Sequence, residues 1–281
     1  MSSELITHLL NSAADKKAKV LLVGNSSLSY DAIMRVPSAD EESKFIIKIR
    51  EDVERVSKDV IMDLIVLSKI SNSTPLLIGI RYGEEEMRDG VAYKVHGIYA
   101  VGIRTFKRVL DNEGIKFVKD KGMVKARIRS DVLRRLRESR GMSLGDLAKA
   151  LGVTRKTVYE YERGSIEASE RSAQALIELF SEDALDDVNL KPNYEEVNNE
   201  ISIREETVDY EIKRLLPTFK LYSLLKAHAK IAAYSGKDSY LVESSGRVDN
   251  EVISVAKVLG IGLALIERNK HDVEFIEVDK Q

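Results

Sequence analysis

The sequence predicts a protein of mixed class, α/β plus all-α, in which a central helical domain lies between an N-terminal α/β domain and a small C-terminal α/β domain. Short apolar runs of strand length alternate with helical patterns before residue 111 and again after Leu215. Residues 130–185 carry helical periodicity alone. We therefore expect domains at residues 1–125, 126–185 and 213–281, with an acidic linker at residues 186–212.

The N-terminal domain is expected to alternate strands and helices. A helix begins near Glu4, a second follows the N-cap residue Ser57, and a third covers Thr105–Leu110. Apolar or alternating runs predict five extended segments: Val20–Val23 (buried), Tyr30–Val36, Phe45–Ile49, Leu76–Ile80 and Tyr93–Val101.

The C-terminal domain is expected to repeat this alternation on a smaller scale. Its predicted elements are a helix at Phe219–Ala233, a strand at Ser239–Val242, a helix at Asn250–Leu259, a strand at Ile261–Ile266 and an edge strand at Val273–Val278.

The composition excludes several classes of function. The chain has no cysteine, so disulfides, thiolate zinc sites and cysteine nucleophiles are absent. Its four histidines (His8, His96, His228 and His271) have no metal-ligand spacing, and we expect neither a metal nor a cofactor. No apolar run approaches the ~20 residues of a membrane span, and the start lacks signal-peptide features. We expect a cytoplasmic protein without membrane contact.

The charge is distributed unevenly along the chain. Residues 119–164 contain thirteen Lys and Arg against six Asp and Glu, a net charge of +7, whereas residues 165–211 have a net charge of −11. A local basic island in a chain of net charge −2 is typical of a nucleic-acid-binding module, although a solvated charged face would look the same.

Helix start and stop signals divide the basic island into helices. Ser130 is expected to cap a first helix that ends at Gly141, and Ser143 with Asp146 predicts a capping box at the start of a second. Gly152 supplies a left-handed turn, and Thr154 caps a third helix. A fourth helix begins near Ser169 and ends near Phe180. Two helices joined by a tight glycine turn predict a helix-turn-helix motif, whose second helix binds the major groove of DNA.

The outer face of the third helix carries the candidate DNA contacts. Arg155 or Lys156 could donate to guanine, and Glu160 could accept from cytosine. Thr154 and Thr157 suit phosphate at the helix start. The complete predicted set is Thr154, Arg155, Lys156, Thr157, Tyr159, Glu160, Ser143, Lys125 and Arg127.

The run from Leu136-Arg137 through Gly141, Leu147-Ala148, Leu151-Gly152-Val153 and Val158 to Glu162-Arg163-Gly164 resembles the Cro/C1-type, or XRE, helix-turn-helix family. The resemblance covers about 50 residues and implies a five-helix domain, a homodimer on a palindromic site, and a structural pair between Arg137 and Glu162. Leu144 stands where the family commonly has a DNA-contacting Gln, and Ala168 where it usually has a Pro. In its order of domains, the whole chain is similar to archaeal HTH-type transcriptional regulators predicted from sequence.

These observations favour a regulator that binds double-stranded DNA as a homodimer, is not an enzyme, and uses its flanking domains for dimerisation, for sensing a small-molecule effector, or for both. One alternative is an adaptor or antitoxin-like protein whose helix-turn-helix binds protein partners. Another is a DNA-cleaving enzyme, since Asp31 and Lys48 fall where restriction-endonuclease-like folds place an Asp and an E-x-K lysine. Ile46 replaces the second carboxylate of that pattern, so the N-terminal domain could be a degenerate nuclease-like fold.

Overall fold

The protein is described by a computed structural model covering residues 2–25, 27–38, 42–244, 249–267 and 272–278. It forms two compact units. The first comprises the described residues of Met1–Glu86, Val95–Ile103 and Leu190–Gln281, and the second comprises Met87–Lys94 and Arg104–Asn189. This division differs from the expected boundaries, because the N-terminal and C-terminal α/β segments lie in one unit.

The described residues form helices and strands of moderate length. The α-helices are α1 (Ser2–Asp15), α2 (Lys58–Ser71), α3 (Ile103–Leu110), α4 (Ser130–Ser139), α5 (Leu144–Leu151), α6 (Arg155–Arg163), α7 (Glu170–Phe180), α8 (Asn198–Glu206), α9 (Tyr210–Leu215) and α10 (Asn250–Leu259). The strands are β1 (Lys19–Leu22), β2 (Ala32–Val36), β3 (Ser43–Ile49), β4 (Thr74–Gly79), β5 (Arg81–Tyr82), β6 (Glu85–Glu86), β7 (Val91–Val95), β8 (Ile98–Gly102), β9 (Phe117–Asp120), β10 (Met123–Ala126), β11 (Ala168–Ser169), β12 (Lys220–Ser223), β13 (Ile231–Tyr234), β14 (Ser239–Glu243), β15 (Gly262–Glu267) and β16 (Asp272–Ile276).

Besides the short antiparallel pair β5-β6, the described residues of the first unit form two longer runs of paired strands. One has the order β1-β2-β3-β4-β8, antiparallel from β1 to β3 and parallel from β3 to β8, and the other has the order β12-β13-β14-β15-β16. Helix α2 contacts strands of both runs. Eleven of its fourteen residues are buried, as expected for a helix covered on most sides. One of the eleven is a carboxylate, Asp63.

The second unit consists of a short set of strands and the helices α3 to α7. Strands β7 and β9 are parallel, β9 and β10 form an antiparallel hairpin, and β10 pairs with β11. Lys121 and Gly122 turn the hairpin with positive φ angles of 50° and 80°. The core of α4 to α7 includes Leu133, Leu147 and Val158, all fully buried.

The expected helix at Phe219–Ala233 is wrong. Strands β12 and β13 occupy this segment and pair antiparallel, with Tyr222 opposite Ala232. Short apolar runs such as Leu221-Tyr222 and Ala232-Ala233 fit a helix or a strand equally well. Here the strand is favoured because β13 also pairs with β14.

Three other expectations are corrected by tertiary packing. Residues 186–212 are not simply an exposed linker, because α8 packs with α2 and buries Ile201 and Arg204. The predicted single segment Tyr93–Val101 is two strands, separated by positive φ angles at His96 and Gly97. The strand at Val20–Val23 is only partly buried, since β1 lies at an edge of the sheet order. Strands β9 and β10 were not anticipated.

Most other elements agree with the sequence expectations to within a few residues, and the edge position of β16 is confirmed. Among the described residues, no helix combines the length and apolar character that crossing a membrane requires.

Candidate nucleic-acid interface

Both helices of the helix-turn-helix begin at well-formed caps. Ser143 Oγ accepts a hydrogen bond from the Asp146 N–H at 3.1 Å, and the Ser143 N–H donates to Asp146 at 2.9 Å, which completes the predicted capping box. At the start of α6, Thr154 Oγ1 accepts from the Thr157 N–H at 3.0 Å. Gly152, with φ of 67°, turns the chain between the two helices. The local sequence therefore sets where α6 starts.

The residue that precedes α4 is not the N-cap that the sequence predicts. Ser130 is the first residue of the helix rather than its cap, and the N-cap residue Arg129 makes no side-chain cap hydrogen bond. Gly141 has φ of 64° directly after the C-cap residue, as predicted for the helix end.

The inner face of α6 is fixed by burial. Val158 is fully buried and Tyr161 is 3% exposed, and both lie in one cluster with Leu147 and Ala148 of α5. Leu144, which replaces the Gln common in the XRE family, is partly buried and packs against this cluster. The helix is thus held on one side, and its opposite side is left for solvent.

The outer face of α6 carries the predicted base-contacting residues. Arg155 and Lys156 are exposed, and neither side chain forms an ion pair or hydrogen bond with any residue that the structure describes. Tyr159 is also exposed, with the Arg163 guanidinium 5.6 Å from its ring centroid, and Glu160 is half-buried. Two unpaired cations and a carboxylate on one helix edge are suited to base edges in a major groove.

Arg137 and Glu162 tie α4 to the end of α6. Arg137 Nε lies 2.5 Å from Glu162 Oε1 and Nη2 lies 3.1 Å from Oε2, while Nη1 donates to the Met142 carbonyl at 2.8 Å. The side chains are only 11% and 4% exposed. The hydrogen bond to Glu162 raises the pKa of Arg137 above its ordinary value. Arg134, which the sequence analysis did not single out, adds a contact of 3.5 Å to Glu162.

Lys125 and Arg127 lie apart from the start of α6. They line a groove of about 800 Å³ together with Arg129, Ser130 and residues 164–167, next to the C-terminal end of α6. The nine residues of α6 span ~13 Å, so the predicted set divides into two groups at opposite ends of the helix. Each cation has an acidic neighbour: Lys125 lies 4.0 Å from Glu167, and Arg127 and Arg129 lie 3.8 and 3.9 Å from Asp186. Arg129 could have been found from the Lys-Ala-Arg-Ile-Arg alternation, which places three cations on one side of an extended chain.

In the first unit, the nuclease-like residue Asp31 is surrounded by protein donors. Asp31 accepts from Lys48 Nζ at 2.9 Å, from the Ile49 N–H at 2.7 Å and from Arg50 Nη1 at 3.4 Å. Ile46, where the pattern needs a carboxylate, is fully buried. Burial lowers the pKa of Lys48, and its hydrogen bond to Asp31 opposes that shift.

These residues do not fit Mg²⁺, which requires several oxygen ligands with room for water. Nor do any three His, Asp or Glu side chains come together as a metal site within the described residues, a range that excludes His271.

Two regions of the chain match known protein families. Residues 133–184 match the helix-turn-helix family, and residues 2–115 match the PD-(D/E)XK superfamily domain. The central region is therefore similar to the helix-turn-helix family, and the N-terminal region is similar to the PD-(D/E)XK superfamily domain. The resemblance of the central domain is confirmed, as is the alternative that the N-terminal domain has a nuclease-like fold.

The chain is similar over most of its length to archaeal proteins that share the name "Putative HTH-type transcriptional regulatory protein". The relative from Thermococcus gammatolerans is 27% identical over 96% of this chain and 86% of its own length. The relative from Pyrobaculum aerophilum is 26% identical over 92% of this chain and 98% of its own length. A relative from Saccharolobus islandicus is 34% identical over 67% of this chain and 58% of its own length. No solved structure matches the chain.

Proposed function

We propose that this protein is a sequence-specific transcriptional regulator that binds duplex DNA in the major groove as a homodimer. The observation that carries the proposal is the outer edge of α6, where Arg155 and Lys156 are exposed and unpaired within the described structure. The names of its archaeal relatives support the same function.

In the proposed complex, α6 lies in the major groove with its N-terminal half against the bases. Arg155 and Lys156 donate to guanine O6 and N7, while Glu160 accepts from cytosine N4. Tyr159 offers its exposed ring and hydroxyl on the same face. The start of α6, with Thr154 and Thr157, lies at a backbone phosphate, where free N–H groups and the helix dipole favour an anion.

Ser143 is proposed to act by positioning. Its hydroxyl and its N–H are both engaged with Asp146 in the capping box. The residue therefore holds the start of α5 in place for a neighbouring phosphate, and direct contact by its side chain is a smaller part of its role.

Lys125 and Arg127 are proposed to contact phosphates that flank the bases bound by α6. Both neighbour carboxylates at about 4 Å, a separation at which exposed ion pairs are weak, so a phosphate can compete for the cation. Contacts of this kind add affinity without sequence information.

Homodimerisation follows from the way helix-turn-helix domains bind palindromes, with half-sites ~34 Å apart along the duplex. A regulator of this kind acts in the cytoplasm, where the DNA is. The remainder of the chain is proposed to supply dimerisation, response to a small effector, or both.

The test is binding of the Arg155→Ala and Lys156→Ala variants to the promoter DNA of the protein's own gene. A lost guanine contact should reduce discrimination between the bound sequence and a mutated one by ~1–3 kcal/mol. Arg135→Ala is the matched control, since this exposed residue of α4 forms an ion pair with Asp131 at 2.9 Å and with no other residue that the structure describes. Unchanged affinity and sequence preference in both α6 variants would refute the proposal. Salt-insensitive capture of one stoichiometric protein partner, without a DNA footprint, would favour the adaptor function instead.

A further inference from the structure

Asp63 is a buried carboxylate whose oxygens are all occupied by protein donors. It lies in the middle of α2 and is fully buried. It accepts from Ser29 Oγ at 2.7 Å, from the Leu225 N–H at 3.0 Å and from the Lys226 N–H at 2.7 Å. Arg204 of α8 adds an ionic contact at 3.8 Å. A buried charge requires such partners, since an unpaired one is very costly.

The Leu225 and Lys226 amides belong to a short segment between β12 and β13, residues 224–230, which we call the docked segment. Its ends are joined by a hydrogen bond from the Leu224 N–H to the Lys230 carbonyl at 2.7 Å, and its residues Ala227 and Ala229 are buried. The segment is therefore closed on itself and held by its backbone as well as by packing.

The docked segment contacts the residues that lead into β2. The Ser29 N–H donates to the Lys226 carbonyl at 2.6 Å, and the Tyr30 hydroxyl lies 2.8 Å from His228 Nδ1. Burial raises the pKa of Tyr30, so its hydroxyl stays protonated and can donate to Nδ1. His228 Nε2 lies 2.5 Å from Glu251 at the start of α10, which extends the contact to a further helix.

The same stretch of chain carries the nuclease-like residues. Asp31 follows Tyr30 directly, and Lys48 donates both to Asp31 and to the Leu28 carbonyl. The docked segment thus contacts Ser29 and Tyr30, the two residues before Asp31, which falls where restriction-endonuclease-like folds place their first carboxylate. Its Lys226 also brings positive charge to this place, which adds to the lowering of the Lys48 pKa that burial causes.

The carboxylates of this region already have cationic partners. Asp31 is paired with Lys48 and Arg50, and Arg204 pairs with both Asp63 and Asp59. A Mg²⁺ ion would have to displace both the cations and the amides of the docked segment to reach the carboxylates, against repulsion from like charges.

We infer that the nuclease-like site of this chain serves as an intramolecular docking site for residues 224–230 rather than as a metal centre. Asp63 holds the docked segment, because its carboxylate accepts hydrogen bonds from two consecutive amides of the segment and from the Ser29 hydroxyl. The docking adds to the contacts of α2 with α8 and with both strand runs, which join the chain after residue 190 to the N-terminal segment within one unit.

The test is hydrogen–deuterium exchange on the full chain with the Asp63→Asn variant. Asparagine keeps the shape but replaces one acceptor oxygen by a donor, so the Leu225 and Lys226 amides should exchange about tenfold faster or more. Asp59→Asn is the matched control, since Asp59 lies one turn earlier in α2 and also pairs with Arg204, at 3.1 Å, but forms no hydrogen bond or ion pair with the docked segment in the described part of the chain. Equal exchange at these two amides in Asp63→Asn and wild type would overturn the inference.

Two further measurements keep the inference testable if Asp63→Asn does not fold. Tyr30→Phe removes one hydroxyl and keeps the ring, and it should speed exchange within residues 227–230 while leaving α6 unchanged; no change in those residues would count against docking. Titration of the wild-type chain with Mn²⁺ should show no saturable site. A saturable site that is lost in Asp31→Asn would show a metal centre and refute the inference.

Discussion

Arg137 and Glu162 meet through two parallel contacts, Nε to Oε1 at 2.5 Å and Nη2 to Oε2 at 3.1 Å, and so connect the first helix of the helix-turn-helix domain to the last turn of the helix proposed to enter DNA. The contact joins residues 25 positions apart. Such a two-point geometry is specific to arginine, because its guanidinium donates two parallel hydrogen bonds to one carboxylate.

Removing one partner of this pair should destabilise the second unit strongly. In Glu162→Gln the buried Arg137 loses its counter-charge, and a loss of ~3 kcal/mol is expected for a broken buried pair. The measurement is the free energy of unfolding, followed by the exchange of amides in α4 and α6. Glu138→Gln is the control, since Glu138 contacts the same arginine at 3.3 Å but is 59% exposed, and should cost under ~1 kcal/mol. Equal losses in the two variants would contradict the structural role of the pair.

The capping box should make the start of α5 sensitive to acid. The hydrogen bond from the Ser143 hydroxyl, helped by the one from its N–H, lowers the pKa of Asp146 below its ordinary value of 3.8. A carboxylate with a lowered pKa stabilises the fold at pH values above the ordinary pKa, and this contribution is lost as the pH falls through the lowered one.

An NMR titration of the Asp146 carboxyl group checks this, and its midpoint should lie below 3.8 in the wild type. In Ser143→Ala the midpoint should return toward the ordinary value, and the first amides of α5 should exchange faster. A wild-type midpoint at or above the ordinary value would show that the box does not form in solution.

Lys125 and Arg127 should influence DNA affinity in a different way from α6. Each phosphate contact that is lost reduces the slope of log K against log salt by ~0.9. Lys125→Ala and Arg127→Ala should therefore each flatten this slope by about one unit and weaken binding equally for all sequences. The measurement is binding over a series of salt concentrations, with Arg135→Ala as the control. A change of sequence preference without a change of slope would assign these residues to base contact instead.

The local features of the helix-turn-helix domain were predictable from the residues alone. Ser143 with Asp146, Gly152 and Thr154 act within a few positions along the chain, and short-range hydrogen bonds and backbone angles follow from such neighbours. The fully buried Val158 confirms the helical period for the same reason. The cap expected at Ser130 is one residue off, which is typical of helix boundaries.

Features that depend on distant partners were harder to predict. Leu221 and Ala233 pair across strands β12 and β13, and their apolar runs are compatible with a helix until that partner strand is known. Asp63 offered one signal, a single carboxylate inside the apolar run of α2, since a charge in a buried helix needs specific partners. Its partners, Leu225 and Lys226, lie 162 and 163 positions away and carry no pattern of their own.

The amino-acid sequence by itself determined the order of most elements, the starts of α5 and α6 and the side of α6 that stays in solvent. These features depend on periodicity and on caps that act over one or two turns. Tertiary structure alone decided that the two α/β segments form one unit, that the carboxylates of the nuclease-like region are occupied by protein donors, and that Lys125 and Arg127 lie at the far end of α6 from Thr154. The physical reason is the separation of the partners along the chain. Each of these residues has many possible distant partners, and the contact that forms depends on how the whole core packs.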